Sequence, residues 1–246
     1  ATAVIKSKSS PYLYGKDFKA INNKNGRYTQ KFDYVSKNLK LQNIKIGLLG
    51  KHQVINASTA LSAAWFLNKK GYHVSKMNIR IGLKNAVWHG RFDIKKIKYK
   101  NKKIELIIDG AHNVEGVNVF FDTFKQLGFA KKKKIFIFAV MKEKKYKYIV
   151  KKIAPFAKKV ILLQINNNRA VSSEILKLEF SKYIAQNKIS SADSTEDAFN
   201  MINSGETVIA VGSLYLAGKI LRYIPNNAVL RCGKNGASAK KTKTKL

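Results

Sequence analysis

From residue 94 onward the chain alternates between two kinds of segment. Short apolar runs fall at residues 104–108, 135–140, 160–163 and 207–211. Stretches with apolar residues at helical spacing separate or follow them, at residues 114–127, 144–156, 172–184, 196–203 and 214–223. A further short strand is predicted near residues 188–191. Few architectures accept this pattern. A strand that is apolar on both faces must be covered on both faces, and the intervening helices supply the cover. The result is a run of right-handed β-α units around a mostly parallel sheet, an α/β fold.

The first strand of this series ends in Leu106-Ile107-Ile108-Asp109-Gly110-Ala111-His112-Asn113. Asp109 and Gly110 stop the strand. Val117, Phe120, Phe121, Phe124 and Leu127 then mark one face of a helix. Asp109, His112 and Asn113 therefore sit in a turn at the carboxyl end of a strand, just before a helix. Open α/β sheets bind ligands there, because loop side chains and helix N-terminal N–H groups converge on one crevice. Asp and Asn also favour turns and N-caps for local reasons, so the turn alone divides evenly between a binding role and a structural one. The last unit ends in Val211-Gly212-Ser213-Leu214-Tyr215, with Ser213 placed to cap its helix.

The first 93 residues read differently. Residues 11–18 suggest a turn and short strand, residues 27–35 an edge hairpin, and residues 39–46 another strand. Gly47 and Gly50 frame a loop. Residues 57–67 form a strong helical run, with Lys69 and Lys70 suited to its C-terminal dipole and Gly71 to the position after it. If that helix starts early enough, His52 and Asn56 share a face. Residues 74–83 predict a second helix ended by Gly82 and Asn85. Trp88-His89-Gly90-Arg91-Phe92-Asp93 reads as a domain linker: Gly90 is a hinge, Arg91 a planar fork for phosphate or carboxylate, and Phe92 a packing residue. Residues 1–5 read as the interior of a helix, and no Met precedes them.

Charge is the strongest compositional feature: 48 Lys+Arg against 14 Asp+Glu, a net of +34. Cationic surfaces attract polyanions, which invites a nucleic-acid reading. The distribution weakens it. The basic residues are overwhelmingly Lys, spread over nearly every segment, whereas Arg is the usual reader of bases and phosphates. A composition bias acting on solvated faces fits better. No apolar run reaches membrane-spanning length, so the cytoplasm is the expected location. A lone Cys232 and four scattered His argue against an internal disulfide or a zinc cluster. Residues 225–246 are rich in Lys, Asn, Gly and Ser, and disorder is expected there.

Five blocks occur in one order: Gly15-Lys16-Asp17-Phe18, Gly50-Lys51-His52-Gln53-Val54-Ile55-Asn56-Ala57, Gly90-Arg91-Phe92, Asp109-Gly110-Ala111-His112-Asn113, and Gly212-Ser213-Leu214-Tyr215-Leu216. Together they resemble the Mur ligase superfamily, in its folate branch of bifunctional dihydrofolate synthase/folylpolyglutamate synthases. The H-Q-x-x-N-A and G-S-L-Y-L forms favour that branch over the peptidoglycan branch. The resemblance implies residues 94–224 as a Rossmann-like C-terminal domain, residues 1–93 as an incomplete remnant of the central ATPase domain, and residues 225–246 as a Lys-rich tail. It implies an ATP-dependent ligase that joins L-glutamate to dihydropteroate or a folyl-glutamate through an acyl phosphate. Asn56, Arg91 and Asp109 would bind ATP, with His52, His112, Asn113, Lys144 and Ser213 near the nucleotide. Arg169 is a further match to a family arginine.

The chain departs from that family in what it lacks. The glycine-rich G-x-x-G-K-[ST] phosphate loop does not occur in its 246 residues, nor do the family's Mg²⁺-binding segments. No catalytic residue is assigned within it, and the Mg²⁺ ligands are expected in a separate N-terminal half. By this reading the 246 residues alone do not turn over ATP. Smaller departures are His89 and Val114 where the family often has Pro, and Lys145 in place of an acid. The competing expectations are a Mur-type ligase for a peptidoglycan precursor and a non-catalytic, basic nucleic-acid-binding module.

Overall fold

A computed structural model describes residues 10–224 and 229–230. The predicted strand at residues 39–46 is β3 (Lys40–Ile46), and it pairs with β2 (Gln30–Ser36), which in turn pairs with β1 (Phe18–Asn25). The three form an antiparallel meander in the order β1-β2-β3. The expected edge hairpin is thus corrected: β2 is the central strand, and its alternating Phe32 and Tyr34 are buried on the face that the following helix covers. β1 had no signal in the sequence because it is largely polar and exposed.

Helix α1 (Lys51–Lys69) lies against this meander through Val54, Ala57 and Leu61, which join Phe18, Phe32, Tyr34, Leu41, Ile44 and Ile46 in one core. The helix begins well before the run that predicted it. Gly71, at φ +91°, follows its end, and its N–H donates to the Asn68 carbonyl. Helix α2 (Lys76–Asn85) is capped by Ser75, whose side chain accepts the Asn78 N–H. Gly82 lies inside α2 rather than ending it, and Asn85 is its last residue, as expected.

The second sheet contains β4 (Asp93–Tyr99), β5 (Lys102–Asp109), β6 (Lys134–Phe138), β7 (Ala157–Leu163), β8 (Ile189–Ala192), β9 (Thr207–Val211) and β10 (Val229–Leu230). Its order is β10-β4-β5-β9-β6-β7-β8. From β5 to β8 every pairing is parallel, as expected. β4 and β10 add an antiparallel edge that the sequence pattern did not announce, because β4 is mostly charged and its Ile94 and Ile97 stand three apart rather than two. β10 falls within the stretch expected to be disordered. The rest of that stretch, Cys232 included, and the expected helix interior at residues 1–5 lie outside the described residues.

Helices cover both faces of the sheet. On one side α3 (Val114–Gln126), α4 (Tyr146–Ile153) and α5 (Ser173–Ser181) pack on Ile107, Phe136, Phe138, Val160, Leu162 and Ile209. On the other, α6 (Thr195–Asn200) and α7 (Leu214–Tyr223) pack on Leu106, Ile108, Ile137, Ile161 and Ala210. Successive strand residues feed opposite cores, which is why these strands are apolar throughout. α3 buries Val117, Phe120, Phe121 and Phe124. Each such side chain contributes roughly 1.5–3 kcal/mol, more than the ~1 kcal/mol of a helix cap, so packing rather than capping holds α3 in place. Asn113 and Ser213 do cap, accepting the Gly116 N–H at 2.7 Å and the Leu216 N–H at 3.0 Å.

Candidate functional site

Three sequence segments converge where the two sheets meet. Asp109 is the last residue of β5, level with Val211 of β9. Arg91 lies in the linker between α2 and β4, and Asn56 is on the first turns of α1. A cleft of about 420 Å³ is lined by His52, Gln53, Asn56, Trp88, Arg91, Asp109, His112, Asn113, Glu115 and Thr123, over a floor that includes Phe92 and Phe120. Asn56, Arg91, Asp109, His52, His112 and Asn113 are therefore brought together although they come from three different blocks.

Backbone geometry that only glycine accepts positions these groups. Gly50 sits at φ +107°, ψ 146° immediately before α1. A Cβ there would lie 2.6 Å from Thr123 Oγ1 of α3, so glycine lets the start of α1 approach α3 closely. Gln30 fixes the same loop from below, its amide donating to the Leu48 and Gly50 carbonyls at 2.8 and 3.0 Å. Because α1 begins at Lys51, His52 and Asn56 do fall on one face. At Gly110 the side-chain end of Leu214 from α7 occupies the space that a Cβ would take. The Gly212-Ser213-Leu214 block thus abuts the Asp109-Gly110-Ala111 turn.

Asp109 is 8% exposed. Its Oδ2 accepts the Phe92 N–H at 2.8 Å and its Oδ1 accepts the Ala111 N–H at 2.7 Å. Burial pushes its pKa up to about 6, against the two backbone N–H bonds and the nearby Arg91 charge, which pull it down. The carboxylate is mostly ionised at neutral pH, as expected. Its two bonds also give it a structural task that the sequence did not show: it ties the linker at Phe92 to the turn at Ala111. The Gly110 N–H adds a second tie by donating to the Gly90 carbonyl at 2.8 Å.

Arg91 packs its guanidinium 5.5 Å from the centroid of the Trp88 ring. It forms no ion pair among the described residues, which leaves its fork available to an anion. His112 Nδ1 lies 2.7 Å from the Gly110 carbonyl. A carbonyl only accepts, so Nδ1 carries the proton and Nε2 is the acceptor in the neutral ring. His52 is held below the ordinary imidazole pKa by burial and by the Arg91 charge, and its buried Nδ1 has no partner among the described residues.

Two expected residues do not line this cleft. Ser213 is buried and occupied as the cap of α7. Lys144 follows β6, which is separated from β5 by β9. Lys144 Nζ stands 3.8 Å from Glu143 Oε1, and Glu143 in turn is bridged by Arg169. That cluster joins the loops after β6 and β7. Gln53, Trp88, Glu115 and Thr123 line the cleft without having been singled out. Gln53 and Trp88 lie inside quoted blocks, whereas nothing in the sequence distinguishes Glu115 or Thr123 from other helix residues.

The profile of the Mur ligase glutamate ligase domain matches residues 90–214. The chain belongs to the Mur ligase family. It is 30% identical over 199 residues to the dihydrofolate synthase/folylpolyglutamate synthase of Bacillus subtilis, covering 78% of this chain and 43% of that protein. It is 29% identical over 133 residues to a folylpolyglutamate synthase of Lacticaseibacillus casei, covering 52% of this chain and 30% of the other. Its fold is that of the Thermotoga maritima folylpolyglutamate synthase, with a TM-score of 0.78 and 24% identity over 93% of this chain and 51% of that one. The Mycobacterium tuberculosis folylpolyglutamate synthase complexed with ADP superposes with a TM-score of 0.74 at 19% identity, over 90% of this chain and 51% of the other. The chain thus spans about half the length of the Bacillus and Thermotoga proteins. Among the described residues no helix is long and apolar enough to cross a membrane.

Proposed function

We propose that this chain forms one wall of the nucleotide site of an ATP-dependent ligase that adds L-glutamate to a pteroate or folyl-glutamate carboxylate. The observation that carries the reading is the convergence of Asn56, Arg91 and Asp109 on one cleft between the two sheets. A carboxylate is a poor electrophile. Transfer of the γ-phosphoryl group from ATP turns it into an acyl phosphate and releases ADP. The glutamate amine then attacks the acyl carbon, the amide forms, and inorganic phosphate leaves. In this scheme Arg91 pairs with phosphate oxygens, and Asn56 offers a neutral amide from α1. Asp109 keeps the linker and the turn in register and accepts hydrogen bonds from the nucleoside end. Burial and the Arg91 charge favour the neutral form of His52, so Arg91 is the cationic contact that this wall offers the anion. The likeness to a dihydrofolate synthase/folylpolyglutamate synthase and to a folylpolyglutamate synthase supports the substrate class.

Mg²⁺ is the usual companion of phosphoryl transfer, where it offsets developing charge. Among the described residues no three His, Cys, Asp or Glu side chains cluster to hold a metal ion. The metal does not fit this wall, and no step is assigned to it here. The phosphate loop and the metal ligands belong, in this proposal, to polypeptide beyond these 246 residues, on the same chain or another. The outward face of α1 supports a protein neighbour. Residues 52–68 contain no Lys, Arg, Asp or Glu in a chain that is 25% charged, and Phe66 and Leu67 stand exposed. An uncharged helix face that ends in exposed Phe66 and Leu67 is more readily covered by another protein surface than left to water.

The test is ADP release from ATP in the presence of L-glutamate and dihydropteroate. The 246-residue chain alone is expected to release none. Mixed with the portion of the Bacillus subtilis relative that it does not match, it should gain glutamate-dependent release, and Arg91→Ala should reduce that release. Robust turnover by the chain alone would refute the division of labour.

A further inference from the structure

Far from the cleft, one side chain joins the two halves of the molecule. Arg27 sits in the turn between β1 and β2, where the Gly26 N–H donates to the Thr29 carbonyl at 2.8 Å. Its guanidinium reaches across to β5 of the second sheet. Nε donates to Glu105 Oε1 at 3.1 Å, and Nη2 lies 2.6 Å from each carboxylate oxygen. The same guanidinium lies 5.0 Å from the centroid of the Phe129 ring. Glu105 is held from its other side by Thr207 Oγ1 of β9 at 3.2 Å. The Glu105 side chain is only 13% exposed and that of Arg27 is 50% exposed. A planar fork on a fixed carboxylate, with an aromatic ring beside it, has one geometry, which Lys cannot reproduce.

The position of this contact gives it leverage. Glu105 and Asp109 lie on the same strand, four residues and so about 13 Å apart. Between these levels the two units touch through Leu49, which packs in the same core as Phe92 and Phe120, and through Gly50 against Thr123. The covalent linker carries a glycine at position 90 with φ +76°. Such a linker allows rotation, and a second attachment away from it sets the angle. Tyr28, next to Arg27, lines an adjoining cleft of about 370 Å³ that shares Trp88, Arg91 and Phe92 with the Asp109 cleft, and neither Arg27 nor Tyr28 lines the latter.

We propose that Arg27 is a positioning residue: its clasp on Glu105 fixes the angle between the meander-α1 unit and the parallel-sheet unit, and thereby the width of the cleft between Asn56 and Asp109. The consequence for ligand affinity rests on the nucleotide reading, whereas the geometric claim does not. The clasp acts on α1 through the meander, which α1 packs against, so releasing it moves His52 and Asn56 together relative to Asp109.

The experiment measures the cleft without ligand and then with one. Spin labels at Ala63→Cys on α1 and Asp122→Cys on α3, both exposed, are placed in a Cys232→Ser background of the full 246-residue chain. The parent should give one narrow distance distribution. Arg27→Ala should broaden or displace it by several ångströms, Glu105→Ala should do the same, and the double variant should go no further than either. Arg27→Lys should only partly restore the parent distribution. ADP affinity should fall in Arg27→Ala by up to about fivefold, the reach of a partly exposed ion pair. An unchanged distribution in Arg27→Ala, with the fold intact by circular dichroism, overturns the proposal, as does additivity of the two Ala variants. A displaced distribution with no ADP binding in parent or variant upholds the clasp and sinks the nucleotide reading instead.

Discussion

Replacing Asp109 by Asn isolates the cost of a buried charge at the centre of the hinge. Burial raises the Asp109 pKa from 3.8 to about 6. At about 1.4 kcal/mol per pH unit, that gap is worth about 3 kcal/mol. The sign follows from proton counting. Between roughly pH 4 and pH 6 the folded protein holds the Asp109 proton and the unfolded chain has released it. Unfolding free energy therefore falls as pH rises through this window, and the contribution of the protonated carboxyl is gone above the folded-state pKa. Asp109→Asn cannot titrate. Its amide nitrogen also faces one of the two N–H donors, Phe92 or Ala111, and leaves it unpaired at a cost of roughly 1–3 kcal/mol. The assay is urea unfolding followed by the fluorescence of Trp65 and Trp88, from pH 4 to pH 7, in parent and variant. Groups other than residue 109 titrate alike in both and cancel in the difference. Parent stability minus variant stability should decline by up to about 3 kcal/mol across the window. A difference that stays flat or grows with pH would refute the buried, N–H-bonded carboxylate described here.

Other substitutions test neighbouring parts of the argument. Gly212→Ala places a Cβ 2.6 Å from the Ala139 carbonyl at φ +125°, while Gly110→Ala meets only the flexible end of Leu214. Thermal unfolding should show the first losing more stability, by at least ~1 kcal/mol, and equal losses would contradict the backbone account. The His52 imidazole should titrate below its ordinary value of 6.5 in an NMR pH series, and its effect on stability should be lost as pH falls, because the unfolded chain takes up the proton first. A His52 midpoint at or above that value would show the ring to be solvated. Lysines spread over all faces should give weak DNA binding that fades by ~200 mM salt; sequence-specific binding that persists there would favour the nucleic-acid reading.

The parallel half of the fold was legible because its signal is redundant. β5, β6, β7 and β9 are apolar on both faces, and α3 carries a five-residue apolar stripe, so either signal alone would have implied the other. β1 and β4 were not legible. Their outward positions are Lys and Asn, and they are strands because neighbours offer them hydrogen bonds rather than because their own side chains demand it. The cleft was legible in its chemistry but not in its mechanics. The blocks named Asn56, Arg91 and Asp109, yet nothing local predicts that Asp109 spends both oxygens on the backbone. Ser213 and Lys144, also expected near the nucleotide, fall outside the cleft for different reasons: Ser213 is buried as the cap of α7 beside the Asp109 turn, whereas Lys144 follows β6. A residue at a strand's carboxyl end lies on the ligand edge of the sheet, but strand order decides which crevice it meets. Here β9 stands between β5 and β6.

In the proposed function Asn56, Arg91 and Asp109 wall a nucleotide cleft. Backbone NMR of the 246-residue chain during titration with millimolar ADP reads that claim residue by residue. Weak, saturable shifts confined to the amides around Asn56, Arg91 and residues 109–116 are expected, little changed by Mg²⁺ and abolished in Arg91→Ala. Shifts centred on Lys144 and Arg169, or no shifts at all, would contradict it.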